Sequence, residues 1–414
     1  LCCILPQPKE NSSSKSGESD FPKTEKIIFV HTFRLSLYIV LNMKSQIPTI
    51  VADEKIPYLD FLGEFPIHLK SYPASKITKN LLIEQNAEAL LIRTRTLCNE
   101  QLLDGTEIKF IGTATSGVDH IDQNYCSQAG IVVFSAPGSN SGAVFQYISC
   151  AILEYAEVKR KNLKGLIMGV IGRGHVGEKI VHLGSLLGME VLINDPPLFE
   201  KGILRVQNSL DEIMANSDIL TLHVPYTTTG FYPTHYLIHS QNILKMKPDA
   251  CLINTSRGSI VDESALYRFA LAHEKFSYIL DVWENEPEIE LRLMERALIA
   301  TPHIAGYSLD GKRNASQQIF TRLAEFYHWD KQPVLPEIGP PPHARLLVEH
   351  LIEAVRATYD IFQDDEALRK NSGLFEQLRS SYNFRHEFPH FEVKIKNESE
   401  KNIAMRLGFK EWNH

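Results

Sequence analysis

Little in this sequence marks it as secreted, membrane-spanning or nucleic-acid binding. Six cysteines stand in 414 residues, with no Cys-x-x-Cys pair and no disulfide-like spacing, which excludes a disulfide scaffold and suits a reducing, cytoplasmic compartment. Positive charge is not in excess: 43 Lys and Arg face 50 Asp and Glu, a net of -7, so no broad basic field awaits nucleic acid. The most apolar stretch, IIFVHTFRLSLYIVL, is broken by His31 and Arg34 and falls short of the roughly 20 apolar residues of a membrane span, so no membrane partner is expected. His235 and His239 could share a helix face, but with no third ligand in view no metal site is expected. Internal repeats and low-complexity arrays are absent.

The length and a hydrophobic content of 43% are enough for two or three buried cores. Residues 1–42, with the Ser-, Lys- and Glu-rich NSSSKSGESD, read as a non-native or disordered leader, and Met43 as the native start. From Thr49 onward strand-like runs alternate with helical ones: TIVAD, ITKNLLIEQNA, ALLIRT, KFIGTAT, a helix around Asp122 to Ala129, and IVVFSAP, the mark of an α/β unit. SAPGSNSG then opens a long helical segment that carries the chain into a second α/β unit, where Ser209 and Glu212 in SLDE form a capping box. After His303 a helix from Asp310 to about Trp329 is expected to return to the first unit. The proline-rich PVLPEIGPPPHAR marks a boundary. The segment beyond it carries no site-like motif and reads as an assembly module.

Three residues carry the chemistry. Arg257 in NTSRGSIVDE, Glu286 in DVWENEPE and His303 in TPHIAGY each follow an apolar, strand-like run, and loops after parallel strands are where α/β proteins keep their sites. Oxidising a 2-hydroxy acid requires a neutral base for the hydroxyl proton, and imidazole fits. A glutamate on the far ring nitrogen would fix the tautomer and stabilise the imidazolium. A planar guanidinium would hold the carboxylate and developing carbonyl in one orientation, as a lysine would not. Taken singly, the three could equally be a solvated arginine, a surface-loop glutamate and a strand-end histidine; their conjunction favours chemistry.

The hydride acceptor is implied upstream. LIMGVIGRGHVGEKIVHLG reads as strand, turn and helix, with Gly172, Gly174 and Gly177 placed for a tight turn, for close approach of backbone to a diphosphate, and for tight helix packing. A second strand, EVLIND, ends at Asp195, 18 residues beyond Gly177, where a carboxylate would meet the adenosine ribose and repel a 2′-phosphate. NAD is therefore expected over NADP. The other reading of Asp195, a capping or turn residue before Pro196 and Pro197, stays open.

Together GRGHVG with Asp195, NTSRGSIVDE, DVWENEP and TPHIAGY resemble the D-isomer-specific 2-hydroxyacid dehydrogenases. IVADEKIPY, FIGTATSGVDHID, APGSN, NDPP, Tyr307 and the closing LGF point to a branch acting on a small phosphorylated hydroxy acid. The resemblance covers essentially all of residues 43–414. It implies an α/β fold: a Rossmann-type doubly wound parallel sheet at 141–303, a discontinuous flavodoxin-like substrate domain at 43–140 and 304–332, and a small C-terminal α+β domain at 333–414 that makes a homodimer. It implies Arg257, Glu286 and His303 as catalytic residues, and Gly172, Gly174, His175, Val176, Gly177, Asp195, Val224, Asp281 and Gly306 around NAD. Thr94, Thr115 and Tyr307 would touch substrate, although the threonines could be strand-end caps and Tyr307 a packed aromatic. Arg93, Arg95, Arg345 and Arg356 are all candidates for a substrate phosphate. Two positions depart from the pattern: Ser139 stands where cysteine is usual, and Gln146 where glutamate is. A dehydrogenase for another acid such as 3-phosphoglycerate, and a non-catalytic NAD-sensing scaffold, remain as alternatives.

Overall fold

A computed structural model describes residues 47–412; the leader expected at 1–42, and Met43, lie outside the described residues. Three parallel sheets organise the chain. The first comprises β1 (Thr49–Asp53), β2 (His68–Tyr72), β3 (Ala87–Ile92), β4 (Phe110–Thr113) and β5 (Val132–Phe134), in the order β2-β1-β3-β4-β5. The second comprises β6 (Ile167–Ile171), β7 (Glu190–Asn194), β8 (Ile219–Leu222), β9 (Cys251–Asn254), β10 (Ser277–Leu280) and β11 (Ile299–Ala300), in the order β11-β10-β9-β8-β6-β7. Both orders reverse beside the strand that starts the sheet, and such reversals open a crevice at the strands' C-terminal ends.

Apolar runs without alternation dictate this. Every residue of β8, β9 and β10 is buried, as central parallel strands covered on both faces must be. Sequence periodicity missed β2, HLKSY, which is a polar edge strand with no buried residue, and gave no strand beyond residue 333.

The helix Ser141–Lys159 links the two sheets and is buried along most of its length. The helix Leu309–Phe326, capped by the Ser308 side chain on the Gly311 N–H, packs Ala315, Ile319, Phe320 and Leu323 into one core with Ile50, Leu91 and Phe110 of the first sheet. It thereby returns the chain to its starting unit. The Ser209 and Glu212 capping box is formed as expected.

The third sheet, β12 (Arg345–Val348), β13 (Glu392–Ile395) and β14 (Lys410–Glu411), is also parallel. Val393, Ile395 and Phe409 of this C-terminal region share a core with Tyr147 and Ile152 of the linking helix and Val170 of β6. Leu368 and Phe375 join the core on the opposite face of the second sheet. Arg369 donates to the carbonyls of Met294 and Ala297 at 2.9 and 2.8 Å, and Arg356 pairs with the buried Glu154. Among the described residues, no helix is long and apolar enough to cross a membrane.

Candidate active site

The glycine loop has the geometry its spacing implied. Gly172 adopts φ +88°, and a Cβ there would lie 2.5 Å from the His223 carbonyl oxygen. A Cβ on Gly177 would lie 1.9 Å from the Gly172 oxygen, whereas one on Gly174 would meet nothing within 4 Å. The first and third glycines are thus demanded by turn and packing, and the second leaves backbone open to a ligand. Gly174 caps the helix His175–Leu186 without any side-chain cap, so the first N–H groups of that helix can receive a diphosphate. Asp195 lies beside the loop: one carboxylate oxygen accepts the Arg173 N–H at 2.7 Å, the other the Leu198 N–H at 3.0 Å. It caps the short helix Pro196–Glu200, so the capping role is real, and the carboxylate is held against the glycine loop. A cleft of about 280 Å³ continues from this loop, lined by His175, Val176, Val224, Thr255 and Arg257 among others. The buried Thr255 hydroxyl has no partner, a group the sequence did not single out. These residues fit a dinucleotide.

Gly177→Ala should lower the melting temperature and weaken NADH binding by about 1–3 kcal/mol, the usual cost of overpacking. NADH titration and thermal unfolding check this, and wild-type affinity would show that the close approach is not needed.

A second cleft of about 550 Å³ is lined by Thr94, Thr115, Arg257, His303, Gly306 and Tyr307, bringing together residues expected from distant parts of the sequence. Arg257 lines both clefts. It donates through Nε and Nη2 to Asp119 at 3.0 and 2.8 Å, and through Nη1 to the Ser256 carbonyl at 2.8 Å, which fixes the plane of the guanidinium.

His303 adopts φ +57°, and its Nδ1 lies 2.7 Å from Glu286 Oε2. That contact makes Nδ1 the protonated nitrogen and leaves the Nε2 lone pair for the cleft. Burial would raise the Glu286 carboxyl, but the His303 ring, the Trp283 N–H and the nearby Arg379 guanidinium outweigh it and hold the carboxyl below its usual range. Glu286 therefore stays ionised behind the histidine.

Asp281 is fully buried, and its two oxygens are taken by the Thr301 hydroxyl and the Ile304 and Ala305 N–H groups at 2.7 to 2.9 Å. These bonds hold the turn that carries His303. Two carbonyls of the same turn are gripped from the C-terminal region: Arg385, itself buried, donates to those of Ile304 and Ala305, and also to the Ala143 carbonyl of the linking helix. Its Nε reaches the Gln146 side-chain oxygen at 3.1 Å, and Gln146 in turn donates to the His386 carbonyl at 3.1 Å. One departure from the family pattern thus becomes an uncharged partner for a buried cation. Ser139, the other, is buried at the cleft wall.

The C-terminal region needs correction on one point. It reads as an assembly module without a site-like motif, yet Glu376 and Arg379, on the helix Phe375–Ser380, line the substrate cleft. Glu376 pairs with Arg95 and Arg379. Of the four arginines open as phosphate ligands, Arg93 and Arg95 line the cleft. Arg345 pairs instead with Glu392 and Arg356 with Glu154, both at the C-terminal module. His120 and Lys312 also line the cleft; burial lowers the His120 pKa, keeping the ring neutral against the Thr113 hydroxyl at 3.0 Å.

Residues 148–305 match the family profile described as D-isomer specific 2-hydroxyacid dehydrogenase, NAD binding domain, and residues 343–408 match one described as a domain of unknown function. Erythronate-4-phosphate dehydrogenase of Bacteroides thetaiotaomicron is 40% identical over 341 residues, which cover 82% of this chain and 97% of that one. The chain belongs to the erythronate-4-phosphate dehydrogenase family. The family member of Escherichia coli O139:H28 is 36% identical over 375 residues, covering 88% of this chain and 99% of its own. The NAD-binding profile identifies the cofactor as NAD and the chain as an NAD-dependent oxidoreductase. Among solved structures, D-lactate dehydrogenase of Aquifex aeolicus, complexed with NAD and lactic acid, is 30% identical with a TM-score of 0.54, covering 68% of this chain and 96% of that one. NAD-bound 3-phosphoglycerate dehydrogenase of Entamoeba histolytica, at 23% identity and a TM-score of 0.56, shares the fold and covers 71% of this chain and all of its own. In both cases the match accounts for nearly all of the solved chain and for about 70% of this one.

Proposed function

We propose that the chain oxidises 4-phospho-D-erythronate to 2-oxo-3-hydroxy-4-phosphobutanoate with NAD, a step of pyridoxal 5′-phosphate (vitamin B6) biosynthesis. The observation that carries the reading is the His303–Glu286 pair at 2.7 Å in the same cleft as Arg257. NAD, when bound, supplies the hydride acceptor. His303 Nε2 takes the C2 hydroxyl proton as the C–H bond breaks, and the Glu286 carboxylate stabilises the imidazolium so formed. Arg257 holds the substrate carboxylate and the developing C2 carbonyl. Thr94, Thr115 and Tyr307 line the space for the remaining carbons, and Gly172, Gly174, His175, Val176, Gly177, Asp195, Val224 and Gly306 serve the cofactor. Asp281 acts through the turn it holds.

In this reading residues 43–140 with 304–332 form the substrate lobe, 141–303 the NAD lobe and 333–414 a C-terminal module through which two chains pair in the cytoplasm. The relatives' shared name favours the phosphorylated four-carbon acid over 3-phosphoglycerate. Wild-type protein with NAD should reduce the cofactor, read by absorbance, with a kcat/KM for 4-phosphoerythronate at least about 100-fold above those for 3-phosphoglycerate and D-lactate, a margin of about 2.8 kcal/mol. Equal rates on all three acids would remove the substrate assignment, and no turnover of any would favour an NAD-sensing scaffold.

A further inference from the structure

The substrate cleft holds more positive charge than its own acids neutralise. Arg93 is held by the buried Asp53 at 2.9 Å, Arg257 by Asp119 and Arg95 by Glu376. Lys312 has no carboxylate within ion-pair distance among the described residues. Its Nζ lies over the Tyr307 ring, 4.4 Å from the centroid, and 5.1 Å from that of Phe384. Arg379 shares Glu376 with Arg95, stands 3.9 Å from Glu286, and its buried Nε has no partner at all. A half-buried ammonium with no carboxylate partner, and a half-buried guanidinium whose shielded Nε has no partner, are costly at one cleft unless an anion completes their charge.

We infer that Lys312 and Arg379 form the subsite that grips the phosphate end of the substrate, so that the C-terminal module supplies half of the determinant separating phosphorylated from unphosphorylated 2-hydroxy acids. The inference rests on the proposed substrate for the identity of the ligand, and on the geometry alone for the anion site. A phosphate monoester carries about -1.5 to -2 charges at neutral pH, which matches two cations lacking full counter-charge. Arg257 is already assigned to the carboxylate, and Tyr307, under the Lys312 ammonium, belongs to the substrate-lining set. Burial first, then the cations Arg93 and Arg379, push the Lys312 pKa down to about 8, a cost that an anion bound against the ammonium would relieve. Arg93 is less suited because the buried Asp53 holds it, and Arg95 because it takes the closer contact to the Glu376 carboxylate that it shares with Arg379.

The test compares wild type with Lys312→Gln, Arg379→Gln and the double variant, measuring kcat/KM for 4-phosphoerythronate and for erythronate, and the inhibition constant of inorganic phosphate. Each single change should cut the ratio of the two kcat/KM values by about 10- to 100-fold, the worth of one charge-assisted hydrogen bond, and should weaken inhibition by phosphate similarly. A parallel loss on both acids, with the ratio and phosphate inhibition intact, overturns the inference. NADH titration checks that each variant is folded, and Lys312→Arg, which keeps the charge, should retain most of the selectivity. If the wild type prefers a different 2-hydroxy acid, the substrate reading falls, but calorimetric titration with inorganic phosphate still judges the subsite. Binding lost in Lys312→Gln and Arg379→Gln upholds it, and binding retained in both refutes it.

Discussion

Turnover by His303→Ala should fall by about three to four orders of magnitude, the upper part of what one positioned acid/base group contributes, while NADH affinity stays within about twofold of wild type. The asymmetry comes from where the residue sits. His303 lines the substrate cleft and its ring is held by Glu286, whereas the glycine loop, Asp195 and Thr255 are reached without it. The turn that carries it is held by other groups, since Asp281 binds its N–H groups and Arg385 its carbonyls. Removing the ring therefore takes away the proton acceptor and leaves the backbone in place. Steady-state kinetics beside a fluorescence titration with NADH decide the matter. Near-normal turnover would transfer the base assignment elsewhere, and loss of NADH binding would show that the histidine is structural.

Arg257→Lys is expected to lower kcat/KM by about two to three orders of magnitude, or about 3–4 kcal/mol, with damage to both kcat and KM. Lysine keeps the charge but loses the fork. In the structure that fork engages Asp119 with two N–H groups and the Ser256 carbonyl with a third, so the side chain is oriented before substrate arrives. An ammonium could satisfy one of these partners and would present a point charge to a carboxylate that needs two parallel bonds. A variant that raises KM alone would mean Arg257 binds substrate and transition state equally and does nothing for the chemical step.

The catalytic trio and the cofactor loop could be read from the sequence because their signals are local. Each of Arg257, Glu286 and His303 follows a short apolar strand, and the three glycines fall within six residues, so spacing alone encodes their geometry. Local signals also gave the long helices and most strands, with β2 missed because a polar edge strand lacks the apolar run that marks a buried one. Lys312, Glu376, Arg379 and Arg385 carried no such mark. Arg385 acquires its importance from carbonyls 80 and 81 positions away in the chain, and Arg379 from a cleft built by two other sheets; neither relation leaves a pattern in neighbouring residues. Asp281 shows the opposite difficulty. Its position in the motif was plain, but the three bonds by which it holds the His303 turn left no mark in the sequence.

The C-terminal module touches both jaws of the cleft. Arg95 and Asp310 on one side meet Glu376 and His390, while Met294, Ala297 and Ala300 on the other meet Arg369 and Asp365. Any widening of the jaws has to break one set of these contacts or carry the module along. Product escape that requires such widening is expected to quicken with added salt, because the Arg95–Glu376 and His390–Asp310 pairs that would part are screened by it.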